Sequence, residues 1–166
     1  MPQARFVIQT VCHGNICRSP MAAAVLRSQL HDADLDSFVA VASSGTSSEE
    51  HGHAIDPRAA RALARRGYEV DRKHRAHRIT PDELASADLV LPATLYQAEW
   101  LVRRGVPAGR VKLLRQFDPA FAGRAPTPAM ELDDPWYGTE EDFETVLNQI
   151  ETAAPGVVEY VHGRVN

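Results

Sequence analysis

The chain has 166 residues, 44% hydrophobic and 24% charged, enough to bury one sizeable core and too few to favour a second domain. Its formal net charge of −4 excludes a whole-surface electrostatic footprint for nucleic acid or an anionic membrane, so any anion chemistry must be local. No apolar run approaches membrane-spanning length, and Met1 to Val11 lacks a small-residue cleavage signature; one domain over residues 1–166, cytoplasmic, without nucleic-acid or membrane partners, is expected.

Arg5 to Cys12 is a β-rich run ending in His13-Gly14-Asn15, and Ser19-Pro20 opens the alanine-rich segment Met21 to Leu30. Ser19 suits the N-cap and Pro20 the first helical position, so the pattern predicts strand, tight loop, helix. Phe38 to Ser43 predicts a second strand. Asp56-Pro57 caps a helix to about Arg66, stopped by Gly67. Thr80-Pro81-Asp82-Glu83 is a capping box for a short helix ending near Ala87. Leu89 to Leu91 predicts a short buried strand, Thr94 with Gln97 caps a helix to about Arg104, and Val111 to Leu114 predicts a fourth strand. Arg115 to Gly138 is long, proline-rich and aperiodic, which favours a functional loop. Thr139-Glu140-Glu141-Asp142 starts a last helix to Ala154, with Pro155 kinking it or restarting it toward Gly163. Strands and helices thus alternate, which implies an α/β domain of three layers: a four-stranded parallel sheet flanked by helices, with its ligand site at the carboxyl ends of the strands.

Cys12 sits at such an end. The two cysteines, Cys12 and Cys17, are too close to form a disulfide framework and read as reduced, reactive thiols. Five residues separate Cys12 from Arg18, a length that can curl so that backbone N–H groups and a helix N-terminus converge on an anion, with phosphate or a similar oxyanion the natural occupant. Those dipoles and Arg18 are expected to lower the pKa of the Cys12 thiol, and the planar fork of Arg18 matches two phosphate oxygens. Gly14 and Asn15 tolerate the positive φ of a tight curl. A buried structural cysteine is the plainer reading; the strand before the loop, the capped helix after it and Gly-Asn within it favour the functional one. Transfer from an aryl ester also needs an acid for the leaving oxygen. Asp118, Asp133 and Asp134 all qualify on sequence physics alone. His51-Gly52-His53, and His74 with His77, have metal-like spacing but no partner cysteines, so neither a metal nor another cofactor is assigned.

Val11-Cys12-His13-Gly14-Asn15-Ile16-Cys17-Arg18-Ser19-Pro20 resembles the signature of the low-molecular-weight protein tyrosine phosphatases, near the N-terminus as in that family. Asp134-Pro135-Trp136-Tyr137-Gly138 resembles the family's acid loop. Ser43-Ser44-Gly45-Thr46, Asp56-Pro57-Arg58 and His74-Arg75-Ala76 match further landmarks in order, so the resemblance covers nearly the whole chain. It implies the phosphotyrosine phosphatase I-like fold with flavodoxin-like winding. It also implies hydrolysis of protein phosphotyrosine through a cysteinyl-phosphate, with Cys12 as nucleophile, Arg18 as phosphate clamp and Asp134 as general acid. His13, Gly14, Asn15, Ile16, Cys17 and Ser19 would form the phosphate loop, and Asn15, Ser19, Ser43 and His74 the network supporting it. Trp136 and Tyr137 would wall a cleft too deep for phosphoserine, and Cys17 would form a reversible disulfide with Cys12 under oxidant. A monomer acting on phosphotyrosine proteins or peptides is expected.

The chain departs from the family pattern at Glu49-Glu50, where an aromatic residue followed by histidine is common, and at Ala93-Thr94, where Met-Asp is usual. Carboxylates on the cleft rim are expected to weaken acidic phosphopeptides and favour basic flanks. His13 occupies a variable loop position and would add a titrating charge beside Cys12. A thioredoxin-linked arsenate reductase would need further cysteines. The protein-arginine phosphatase branch typically carries threonine at the position of Ile16. A binding module that holds phosphate without turnover is the rival from another class, and intact Cys12, Arg18 and Asp134 argue against it.

Overall fold

The computed structural model describes residues 5–165. Three parallel strands, β1 (Phe6–Cys12), β2 (Val39–Gly45) and β3 (Leu89–Pro92), form a sheet in the order β2-β1-β3. The central β1 is registered from Phe6↔Val39 to Cys12↔Gly45 on one side and from Ile8↔Leu89 to Val11↔Pro92 on the other. Ile8, Cys12, Leu89 and Leu91 enter one hydrophobic cluster, whereas Val11 and Val90 enter a second, the period-two division of strands buried on both faces. The helices are α1 (Arg18–Asp32), α2 (Pro57–Arg65), α3 (Pro81–Ser86), α4 (Leu95–Arg103) and α5 (Glu140–Val165). Residues of α1, α2 and α5 fill the first cluster, and Leu84, Trp100 and Leu101 bring α3 and α4 to the second. The chain leaves β1 for β2 on one side and reaches β3 on the other, so the carboxyl end of β1 is the topological switch point.

Local signals set the helix starts. The Asp56 carboxylate accepts from the Arg58 N–H, while Thr80 with Glu83 and Thr94 with Gln97 form reciprocal capping boxes. Gly67, at φ 80°, follows the end of α2. α5 continues through Pro155 to Val165 without restarting, because buried positions from Phe143 to Val161 keep one apolar stripe against the core.

The expected fourth strand does not form, so the sheet has three strands. Val111 makes an isolated parallel bridge to Val90, and Lys112 N–H donates to the Val90 carbonyl at 3.0 Å. Beyond it the Leu113 N–H goes to the Gln116 side chain at 2.7 Å, and the chain coils into a 3₁₀ turn at Leu114–Phe117. A side-chain acceptor has replaced the next ladder bond. Further 3₁₀ turns at Pro119–Phe121 and Pro128–Met130 order the long loop. Arg115 Nη1 stitches it by donating to the carbonyls of Ala129 and Glu131 at 3.1 and 2.9 Å. Among the described residues no helix is long and apolar enough to cross a membrane.

Candidate active site

β1 ends at Cys12 and α1 begins at Arg18, so residues 13–17 must turn between them. The turn is made by Asn15 at φ 62°. Its Nδ2 donates to Ser19 Oγ at 2.8 Å and Ser43 Oγ at 3.1 Å, and its Oδ1 accepts from the His77 N–H at 3.1 Å. His74 Nε2 meets the Asn15 carbonyl at 2.8 Å; a carbonyl only accepts, so His74 carries its proton on Nε2. Burial pushes the pKa of His74 below its ordinary value. Ser19, having accepted from Asn15, has its own proton free for Cys12 Sγ at 3.0 Å, and the Asn15 N–H donates to the same sulfur at 3.3 Å. Both contacts favour negative charge on sulfur.

Two expectations for this loop are corrected. Ser19 lies inside α1, whose N-cap is Cys17 with no side-chain cap bond, because the Ser19 hydroxyl is committed to the sulfur and Asn15. Gly14 is absent from the positive-φ residues, leaving Asn15 to supply the left-handed turn. A Cβ on Gly14 would lie 3.2 Å from Glu50 Cγ, a tight approach to that side chain. The close approach missed from sequence is Gly45, where a Cβ would fall 2.6 Å from the His13 carbonyl oxygen. Its absence lets the Thr46 and Ser47 N–H groups reach the Cys12 and His13 carbonyls at 2.9 and 3.1 Å.

Arg18 is buried, and its Nη2 faces Asp134 Oδ2 at 3.5 Å. Of the three candidate aspartates, Asp134 lines the cleft. Asp118 is buried elsewhere, accepting from the Ala120 N–H to cap a 3₁₀ turn. Asp133 is exposed, and its N–H meets Gln149 Oε1. Asp134 Oδ1 accepts from the Trp136 N–H at 3.1 Å, leaving Oδ2 toward Arg18.

The cleft, about 190 Å³, is floored by the loop from Cys12 to Arg18, including buried Ile16 and Cys17. Glu49 and Glu50 line it together with Asp134, Trp136 and Tyr137. The two aromatic rings meet edge to face at 6.4 Å, with Tyr137 95% exposed, so they offer free surface to an incoming ring. Glu49 Oε2 pairs with His13 Nε2 at 3.2 Å, and Glu50 Oε2 with His53 Nδ1 at 2.6 Å. Both cysteines are free thiols. Burial, then Asp56 and Cys12, push the Cys17 thiol well above the ordinary range. Ala93 and Thr94 serve as scaffold: the Ala93 carbonyl accepts from the Leu132 N–H at 3.0 Å, and Thr94 caps α4. Sequence reading left Arg58 without a task, yet its guanidinium reaches both Asp56 and the backbone at Trp136 and Gly138.

Together these features define an α/β protein whose cleft is organised around one cysteine at the sheet's switch point. Residues 7–165 match the low molecular weight phosphotyrosine protein phosphatase family. Low molecular weight protein-tyrosine phosphatase A of Mycobacterium tuberculosis is 43% identical over 155 residues, covering 93% of this chain and 91% of that protein. The low molecular weight protein-tyrosine-phosphatase of Streptomyces coelicolor is 38% identical over 159 residues, covering 93% of each. A solved protein tyrosine phosphatase from Entamoeba histolytica superposes with TM-score 0.84 at 25% identity, over 96% of this chain and 98% of that one. The chain belongs to the low molecular weight phosphotyrosine protein phosphatase family.

Proposed function

We propose that the protein hydrolyses phosphotyrosine in proteins through a cysteinyl-phosphate on Cys12. The observation that carries this reading is the arrangement of Cys12 Sγ under two hydrogen bonds, with the Arg18–Asp134 pair beside it in the same cleft. The Cys12 thiolate attacks phosphorus as the aryl O–P bond breaks, and Asp134 gives its proton to the departing phenolate oxygen. Arg18 and the loop N–H groups hold the equatorial oxygens. Water then gives a proton to the Asp134 carboxylate and attacks phosphorus, breaking the S–P bond and releasing phosphate. Under peroxide, an oxidised Cys12 sulfenic acid condenses with Cys17 to a disulfide and water.

The rim refines the substrate. Glu49 and Glu50 present carboxylates to the cleft, so the rim favours phosphotyrosine peptides with basic flanks. A matched basic and acidic peptide pair tests this: basic flanks are expected to give the higher kcat/KM, a preference reduced in Glu49→Gln/Glu50→Gln. Equal values in the unaltered protein reject it.

The primary experiment is hydrolysis of p-nitrophenyl phosphate from about pH 5 to about pH 8 under reducing conditions, with Cys12→Ser beside the unaltered protein. Turnover is expected in the unaltered protein and none in Cys12→Ser. Equal turnover in Cys12→Ser rejects the mechanism, and phosphopeptide binding without turnover in the unaltered protein makes this a binding module.

A further inference from the structure

Arg58 stands in the first turn of α2, where the helix dipole disfavours a cation. Its guanidinium compensates by joining two loops. Toward the phosphate loop it forms a two-pronged pair with Asp56, Nε to Oδ1 at 3.1 Å and Nη2 to Oδ2 at 3.0 Å. Asp56 is buried, and its N–H donates to the Ile16 carbonyl at 2.9 Å. Toward the other loop, Nη1 donates to the Gly138 carbonyl and Nη2 to the Trp136 carbonyl, each at 3.0 Å. The guanidinium carbon lies 4.6 Å from the Phe143 ring centroid and 5.8 Å from that of Trp136.

The gripped backbone is the turn that orients Asp134. Gly138 N–H closes the turn on the Pro135 carbonyl at 2.8 Å, and Trp136 N–H holds Asp134 Oδ1 at 3.1 Å. Trp136 therefore receives Arg58 at its carbonyl and holds Asp134 with its N–H. The loop's base is anchored separately, by Leu132 N–H on the Ala93 carbonyl and Asp133 N–H on Gln149.

We infer that Arg58, braced by Asp56, is the positioning residue that holds the acid loop against the phosphate loop and sets Asp134 in proton-transfer reach of the leaving oxygen. This rests on Asp134 being the general acid. Burial works against the ionised form of Asp56, yet the Arg58 hydrogen bonds outweigh it and hold the carboxyl below its ordinary range. The brace therefore stays charged at neutral pH. Proton transfer demands hydrogen-bond reach, and displacement by about 1 Å is enough to cost about 10²-fold.

The test compares phenyl phosphate, whose leaving group needs a proton, with p-nitrophenyl phosphate, whose leaving group departs without one. kcat/KM is read because it includes the step in which the aryl group leaves. Arg58→Met keeps much of the apolar stem and loses the fork. It is expected to lose about 10²-fold on phenyl phosphate and less than about tenfold on p-nitrophenyl phosphate, with competitive inhibition by inorganic phosphate unchanged. Arg58→Lys keeps the charge without the planar fork and is expected to behave like Arg58→Met; it carries the test if the methionine variant does not fold. In an Asp134→Ala background, Arg58→Met is expected to add little, because the group it positions is gone. Equal losses on both esters, or multiplicative losses in the double variant, overturn the inference. Asp134→Ala alone separates the two failures. If it does not discriminate between the esters, the acid assignment falls; if it does and the Arg58 variants do not, only the positioning role falls.

Discussion

Asn15 carries a local cost and a local return. An L-residue in the left-handed region gives up about 1 kcal/mol, and at φ 62° Asn15 does so while its side chain binds Ser19, Ser43 and the His77 N–H. Asn15→Gly relieves the strain and deletes the hub. Buried groups left unpaired cost about 1–3 kcal/mol, so with about 1 kcal/mol of strain relieved the glycine variant is expected to be destabilised by about 1 kcal/mol net. Asn15→Ala also meets the strain and should fall about 1 kcal/mol lower. Urea unfolding of the pair checks this, and an alanine variant as stable as the glycine one would show that the strain is not real. At this scale the sequence made the placement of Cys12, Asn15 and Arg18 in one strand-to-helix turn legible, because strand, turn and helix signals lie within a few residues of one another. It misled at Ser19, since a serine before proline fits an N-cap as well as a sulfur ligand. It was silent on Arg58, whose carbonyl partners Gly138 and Trp136 lie 80 and 78 residues away.

Capping boxes at Thr80 and Thr94 were readable because donor and acceptor lie within one turn. The fourth strand was misread because Val111 to Leu114 looks like a strand until the Gln116 side chain takes the Leu113 N–H. Pro155 was expected to kink or restart α5, whereas the helix runs on to Val165 because its apolar stripe stays packed on the core. A Cβ on Gly156 would lie 2.4 Å from the Phe117 carbonyl oxygen, so the glycine lets the 3₁₀ turn seat on the helix. Helix propensity favours Gly156→Ala by about 1 kcal/mol, whereas forcing packed backbone apart costs about 1–3 kcal/mol. Gly156→Ala is therefore expected to lower stability by about 1 kcal/mol, and a raised Tm would refute the contact. The α2–α5 contact is also electrostatic, with Arg66 pairing to Glu144 and Glu151 across it. Arg66→Ala is expected to cost about 1 kcal/mol at low salt and measurably less at about 1 M salt, where the screening length is about 3 Å. A salt-independent loss would point to packing of the stem instead.

The alternation of elements was enough to predict an α/β parallel sheet, because that topology follows from right-handed crossovers rather than from any one strand. The response of the whole molecule to acid needed the structure. His74 donates to the Asn15 carbonyl from a half-buried site. Burial lowers its pKa most; Arg27 and His77 add to that, and the Asn15 bond and Asp71 oppose it. As pH falls below the ordinary histidine value, the unfolded chain takes up a proton that the fold still refuses, so His74 withdraws stability down to its folded pKa. His31 has the opposite sign: its hydrogen bond to Asp36 raises its pKa, giving stability below the ordinary value that is lost as pH rises through the folded one. Asp56 and Glu144, held low by their arginines against burial, keep their contribution until a lower window, where acid protonates them. Replacing His74 with glutamine keeps an N–H donor for Asn15 and removes one titration while leaving His31 and the carboxylates in place. Urea midpoints are therefore expected to drop more between about pH 7 and about pH 5.5 for the unaltered protein than for His74→Gln, and equal drops would show that His74 is not the acid-sensitive tie on the phosphate loop.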